Sequence, residues 1–171
     1  MEVFPGKILV VDDEPDIVEF ITYNLKNKGY LVASARDGVE AIRKAKDFKP
    51  NLILLDMMMP NKDGIETIKE LRTMPEFDDT AIIFLTALSD EKYEIEGLKT
   101  GADDFIAKPI KPELLATRIG SALRRFRKEE DPLWTLDVER VVEFLYPRPP
   151  KEEEEEEKKG GEKEEEILDK V

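Results

Sequence analysis

The sequence predicts an α/β fold, a doubly wound five-stranded parallel sheet with helices on both faces, on three observations. Over residues 1–127, five short apolar runs of strand length alternate with five segments whose apolar residues recur at helical spacing. Glycine or proline follows three of those helical segments, at Gly29, Pro50 and Gly101. The runs at Lys7–Val11 and Leu52–Leu55 are nearly continuous in apolar residues, as in strands covered on both faces.

Element by element, Lys7–Val11 is the first strand, and Asp16–Lys28 is a helix with Ile17, Val18, Ile21 and Leu25 on one face. Tyr30–Ala35 is the second strand, and Gly38–Phe48 a helix carrying Val39, Ile42 and Ala45 inward. Leu52–Leu55, the most apolar strand, precedes a helix that opens at Asp63–Gly64 with Ile65, Ile68 and Leu71 on one side. Ala81–Leu85 is the fourth strand, Glu91–Lys99 the fourth helix and Phe105–Ala107 the fifth strand. The last helix runs from Pro112 to about Arg127 with a stripe of Leu114, Leu115, Ile119 and Leu123.

In such a sheet, ligands sit beyond the carboxyl ends of the strands. Those ends read Asp12-Asp13, Asp56, Thr86 and Lys108. Three converging carboxylates repel one another in a partly desolvated site and stay ionised only if a cation joins them. An all-oxygen set with room for water suits Mg²⁺. A carboxylate nucleophile, a divalent cation, a lysine and a hydroxyl together equip a site for phosphoryl transfer. Read singly, Asp12-Asp13 is also a helix N-cap feature, Asp56 a loop carboxylate, Thr86 a strand-end residue and Phe105 core.

Composition narrows the alternatives. The chain has 171 residues, no histidine and no cysteine, which excludes a histidine-based triad, thiolate or imidazole metal sites and an internal phosphohistidine. A net charge of −13 argues against direct nucleic-acid binding. No apolar stretch approaches the ~20 residues of a spanning helix, and no signal-peptide pattern opens the chain, so a cytoplasmic protein without membrane attachment is expected. No glycine-rich phosphate loop is present, and Asp12-Asp13-Glu14-Pro15 lacks the two-residue spacing of aspartyl-phosphate hydrolases.

The segments KILVVDDEPD, LILLDMMMPNKDGIE, IIFLTAL and GADDFIAKP resemble the four hallmark regions of bacterial two-component response-regulator receiver domains, in the same order and over roughly residues 6–127. The resemblance implies a flavodoxin-like (βα)5 fold with strand order 2-1-3-4-5. It implies that Asp56 is the phosphoacceptor, attacking a phosphohistidine of a sensor histidine kinase. Asp13, Asp56 and the backbone carbonyl of Met58 would ligate Mg²⁺, and Asp12 would act through a bound water. Lys108, before a characteristically cis proline bond, would pair with the phosphoryl oxygens, and Thr86 would hydrogen-bond them. Phe105 would change rotamer as Thr86 moves, its ring lacking the hydroxyl of the tyrosine in many relatives. Met58 and Leu88, apolar beside the path of the hydrolytic water, imply self-dephosphorylation over minutes to hours. The protein would thus be no enzyme beyond its own phosphorylation and slow dephosphorylation.

The stretch TGADDFIAKPIKPELLATRIGSALRR resembles receivers of the winged-helix transcription-factor subfamily. There, phosphorylation favours a homodimer through the fourth helix, fifth strand and fifth helix, and Asp103, Asp104, Glu113, Arg118 and Arg125 match charged positions of that surface. Glu94 departs from the pattern, since relatives carry a basic residue facing the position of Glu113; an acid pair there costs about 1 kcal/mol or less.

Residues 128–132 read as a charged linker, and 133–146 as a short apolar segment that fits both a strand and a helix, the strand slightly better, and faintly resembles the opening of a winged-helix effector. Residues 147–171 are prolines followed by a Glu/Lys-rich tract, disordered or a solvated helix, with no recognition helix in it. The tract is either a natural acidic extension or a replaced segment of a truncated or engineered receiver. The alternative function is a protein-interaction module that is never phosphorylated, and the intact set of Asp12, Asp13, Asp56, Thr86 and Lys108 argues against it.

Overall fold

Buried apolar runs must be covered on both faces, and the computed structural model, which describes residues 6–87 and 91–126, covers them so. The order is β1 (Lys7–Val11), α1 (Pro15–Asn27), β2 (Leu31–Ala35), α2 (Gly38–Phe48), β3 (Leu52–Asp56) and α3 (Gly64–Leu71). A short 3₁₀ turn at Pro75–Phe77 leads to β4 (Ala81–Thr86), α4 (Glu91–Lys99), β5 (Asp104–Ala107) and α5 (Pro112–Phe126). All strand pairs are parallel, in the order β2-β1-β3-β4-β5. The flavodoxin-like fold expected from the sequence is the fold observed. The expectations for Leu88, for the Glu94 side chain and for residues beyond Phe126 lie outside the described residues.

Alternation along the strands divides the core in two. Ile8, Val10, Leu52, Leu54, Ile83 and Leu85 face one layer, with Ile21 and Leu25 of α1 and Leu115 and Ile119 of α5. Leu9, Val11, Ile53, Leu55, Ile82 and Phe84 face the other, with Ile42 of α2 and Ile68 and Leu71 of α3. No described helix is long and apolar enough to cross a membrane.

Two inward assignments are corrected. Val39 is 58% exposed and Leu114 is 40% exposed. In α2 the buried stripe is Gly38, Ala41, Ile42 and Ala45, an i, i+3, i+4, i+7 set from which Val39 is turned by about 100° per residue. In α5 the stripe is Leu115, Ile119, Ala122 and Leu123, and Leu114 precedes it by the same angle. Small residues, Ala41 and Ala122, complete the two buried stripes.

The helix starts near the site are tightly specified. Asp63 accepts from Glu66 N–H at 2.8 Å while the Glu66 carboxylate accepts from Asp63 N–H at 3.1 Å, a reciprocal capping box. A Cβ on Gly64 would lie 2.3 Å from the Asp56 carbonyl oxygen, so only glycine lets α3 begin this close to the end of β3.

At the opposite end of the sheet Arg72 acts as a clamp. Its guanidinium donates to Phe77 O at 2.7 Å, to Thr80 O at 2.9 Å, to Gly101 O at 3.0 and 3.2 Å, and to Asp103 Oδ2 at 3.2 Å. One planar fork thus joins α3, the 3₁₀ turn, the entry to β4 and the loop after α4. Arg72→Ala is expected to lower unfolding stability by about 2–3 kcal/mol in a denaturant titration, since it strips several carbonyls and a half-buried carboxylate of their donor. Arg72→Lys should recover less than half of that, having no fork.

Candidate functional site

Parallel register carries the strand ends to one edge. Val11 is level with Leu55, Asp56 with Leu85, and Thr86 with Ala107, so the residues that follow β1, end β3 and β4, and follow β5 emerge side by side. Asp12 N–H donates to Ala35 O at 3.2 Å, a last ladder bond to β2, and the Asp12 Oδ1 accepts from Glu14 N–H at 2.9 Å as α1 begins. Asp56 Oδ1 accepts from Met58 N–H at 3.3 Å, which turns the chain out of the sheet. Lys108 N–H donates to Thr86 O at 2.8 Å, and the Lys108–Pro109 peptide is cis.

The side chains converge. Asp12, Asp13 and Asp56 each present a carboxylate oxygen within 4.8 Å of the others. Lys108 Nζ lies 2.8 Å from Asp12 Oδ2, 3.0 Å from Glu14 Oε1 and 3.4 Å from Asp56 Oδ2. Asp12 and Asp56 are buried, while Asp13 is exposed. Among the described residues, the site therefore sets one ammonium against four carboxylates.

That imbalance shows in the acidities. Asp56 is pushed up to about 6, first by burial and then by the charge of Asp12, against the opposing pull of Lys108 and of the Met58 N–H. For Lys108, burial alone would favour the neutral amine, but its pairing with Asp12 and Glu14 and the charges of Asp56 and Asp12 outweigh burial and hold it above its ordinary value. Asp12 Oδ2 is buried and lacks a hydrogen bond of good direction, although Lys108 is near. A buried, under-satisfied carboxylate oxygen beside two more carboxylates is a donor set that fits a hard divalent cation.

The other predicted residues are placed as follows. Thr86 is buried at the end of β4. Phe105 is half-buried and packs on Phe84 with ring centroids 5.6 Å apart and planes inclined by 31°. Gly97 of α4 lies against it: a Cβ there would fall 2.7 Å from Phe105 Cζ. Asp104 forms a two-pronged ion pair with Arg118, both oxygens at 3.0 Å, and Glu113 and Arg125 are exposed on α5. Asp103 is engaged within the chain, accepting from Ile82 N–H at 2.8 Å as well as from Arg72.

The sequence reading passed over two apolar residues of that region, Ile95 and Leu98, and placed a third, Leu114, inward. Ile95, Leu98 and Leu114 are 46%, 54% and 40% exposed, on the helices either side of the edge strand β5 in sequence. For Ile95 and Leu98 the available signal was an apolar pair on a short, largely charged helix. It also missed the contact of Glu14 with Lys108, which no local pattern announces across 94 positions.

Comparisons with known proteins point to one family. A family model described as "Response regulator receiver domain" matches residues 8–120. The chain is 47% identical over 119 residues to the alkaline phosphatase synthesis transcriptional regulatory protein PhoP of Bacillus subtilis, covering 70% of this chain and 49% of that protein. It is 36% identical over 138 residues to the DNA-binding response regulator MtrA of Mycolicibacterium smegmatis, covering 81% and 58%. Among solved structures, the BeF3-activated N-terminal receiver domain of Klebsiella pneumoniae RstA is 33% identical with a TM-score of 0.65, covering 69% of this chain and 98% of that one. The chain spans about half the length of the curated relatives it matches. The family match and the fold agree: this chain belongs to the response regulator receiver domain family and carries the receiver domain of a two-component response regulator.

Proposed function

We propose that the chain is a phosphoryl-controlled switch that accepts a phosphoryl group on Asp56 from a sensor histidine kinase. The observation that carries this reading is the Asp56 carboxylate, buried at the end of β3 within reach of two more carboxylates and 3.4 Å from Lys108. An Asp56 oxygen attacks phosphorus, the P–N bond to the donor histidine breaks, and the imidazole leaves to take up a proton. Lys108 neutralises charge on the phosphoryl oxygens, and Thr86 offers them its hydroxyl. Asp13, Asp56 and the Met58 carbonyl would hold Mg²⁺, with Asp12 acting through water; the ion would neutralise the repelling oxygens of acceptor and donor. The Met58 side chain, 65% exposed beside the acceptor, supports slow hydrolysis by keeping an apolar group at the mouth of the site.

Thr86 and Phe105 are the proposed relay from the phosphoryl group to α4, β5 and α5. On that surface Ile95, Leu98 and Leu114 supply apolar area, and Asp104, Glu113, Arg118 and Arg125 supply charge. An acid and a base on one face can exchange partners across a two-fold axis, which makes such a face self-complementary. Asp103 takes no part in it, its carboxylate being already held by Arg72 and Ile82. Output is homodimerisation and, in a longer protein, regulation of transcription, with no DNA contact from the receiver itself.

The test is Mg²⁺ with beryllofluoride, a phosphoryl mimic, followed by sedimentation. The expected result is a doubling of mass that Leu114→Asp weakens at least ten-fold while beryllofluoride still binds. A wild type that binds no beryllofluoride and takes up no phosphoryl group ends this reading.

A further inference from the structure

We propose that Glu14 is a charge gate on Lys108, a positioning residue that the incoming phosphoryl group must displace; this rests on the reading of Asp56 as acceptor. An ammonium has three N–H donors, and three carboxylates crowd this one at 2.8, 3.0 and 3.4 Å. A phosphoryl group on Asp56 brings new anionic oxygens to the same nitrogen, so one carboxylate must yield its place.

Exposure decides which. The Asp12 side chain is 0% exposed, and stripping a buried carboxylate of its cation is costly. Asp56 is the group being modified and stays where it is. Glu14, 60% exposed, returns to water at little cost. Its backbone is meanwhile held by the bond from its N–H to Asp12 Oδ1, so the side chain starts each cycle from the same place. Glu14 therefore keeps Lys108 occupied in the resting protein and adds a negative charge at the mouth through which an anionic donor enters.

The experiment compares wild type, Glu14→Gln and Asp16→Asn in Mg²⁺ and acetyl phosphate, where the Asp56–phosphoryl bond forms, the donor's acyl P–O bond breaks and acetate leaves. Asp16 is an exposed acid on α1 that makes no ion pair with Lys108, so it removes the same charge nearby without opening the gate. Freeing Lys108 from a partly exposed pair of this kind is expected to raise both the phosphorylation rate and the beryllofluoride affinity about five-fold for Glu14→Gln. The gain should shrink in high salt. Dephosphorylation should stay within two-fold of wild type, because Lys108 has already left Glu14 by then, and the unfolding midpoint should not move. A rate for Glu14→Gln within two-fold of wild type overturns the gate while leaving the acceptor reading intact. An equal acceleration by Asp16→Asn also overturns it, showing general repulsion instead. A wild type that is never phosphorylated overturns both.

Discussion

Asp56→Asn is expected to lose phosphoryl uptake by at least about a thousand-fold while keeping its fold, since the nucleophile is replaced by an isosteric neutral amide. The proposed acceptor differs from its neighbours in its setting. Asp12 is buried against Lys108 and bonded by the Glu14 N–H, and Asp13 is exposed. Of the three, Asp56 is the one that ends a fully buried strand, with an oxygen 3.4 Å from Lys108. Intact-protein mass after incubation with acetyl phosphate and Mg²⁺ reads the result directly. A phosphoryl group on Asp56→Asn would move the acceptor elsewhere in the cluster. Lys108→Ala should slow uptake as well, but by less, because it removes neutralising charge and not the nucleophile.

The second large effect concerns stability without metal. With its acidity at about 6 in the fold and near 3.8 when unfolded, Asp56 keeps a proton in the folded state that the unfolded chain has released. Between those values the folded state binds more protons, so stability falls as pH rises through the window, and the loss is complete above about pH 6. Allowing for solvent relaxation, the loss is about 2 kcal/mol. Glu40 works in the other direction: the Arg36 N–H and Lys44 hold its carboxyl down to about 2, which favours the fold above the ordinary carboxylate range. The clean readout is therefore the difference between wild type and Asp56→Asn in urea titrations across about pH 4–8. The asparagine variant should be the more stable above about pH 6 and should lose its advantage near pH 4. Saturating Mg²⁺ at about pH 7 should restore the wild type by about 2–3 kcal/mol at roughly a hundred times the dissociation constant. The response of Asp56→Asn should be much smaller.

The strands and the site were the most legible parts of the chain. LILLD and AIIFLT are buried throughout, and a short run that is apolar without alternation fits a strand covered on both faces far better than a half-exposed one. Once the sheet is parallel, topology alone sends Asp12, Asp56, Thr86 and Lys108 to one edge. Less legible was which apolar residues of a helix face inward, as Val39 and Leu114 show: a window of a few residues fits two neighbouring stripes, and only packing against the sheet decides between them. Least legible were the contacts made by long charged side chains. Arg72 to Gly101 and Lys108 to Glu14 depend on reach across the fold, and no local pattern encodes them.

The Arg72 clamp has a mechanical consequence. By gripping the Gly101 carbonyl just beyond the end of α4, it fixes the trailing end of that helix to α3 and to the entry of β4. The leading end, toward the strand tips that carry the acidic cluster, has no such anchor among the bonds of Arg72. A nine-residue helix is about 13 Å long, so a turn of about 10° around this fixed end carries the leading end about 2 Å. Arg72 would be the fulcrum of any such turn, with the long arm on the side of the proposed acceptor, Asp56.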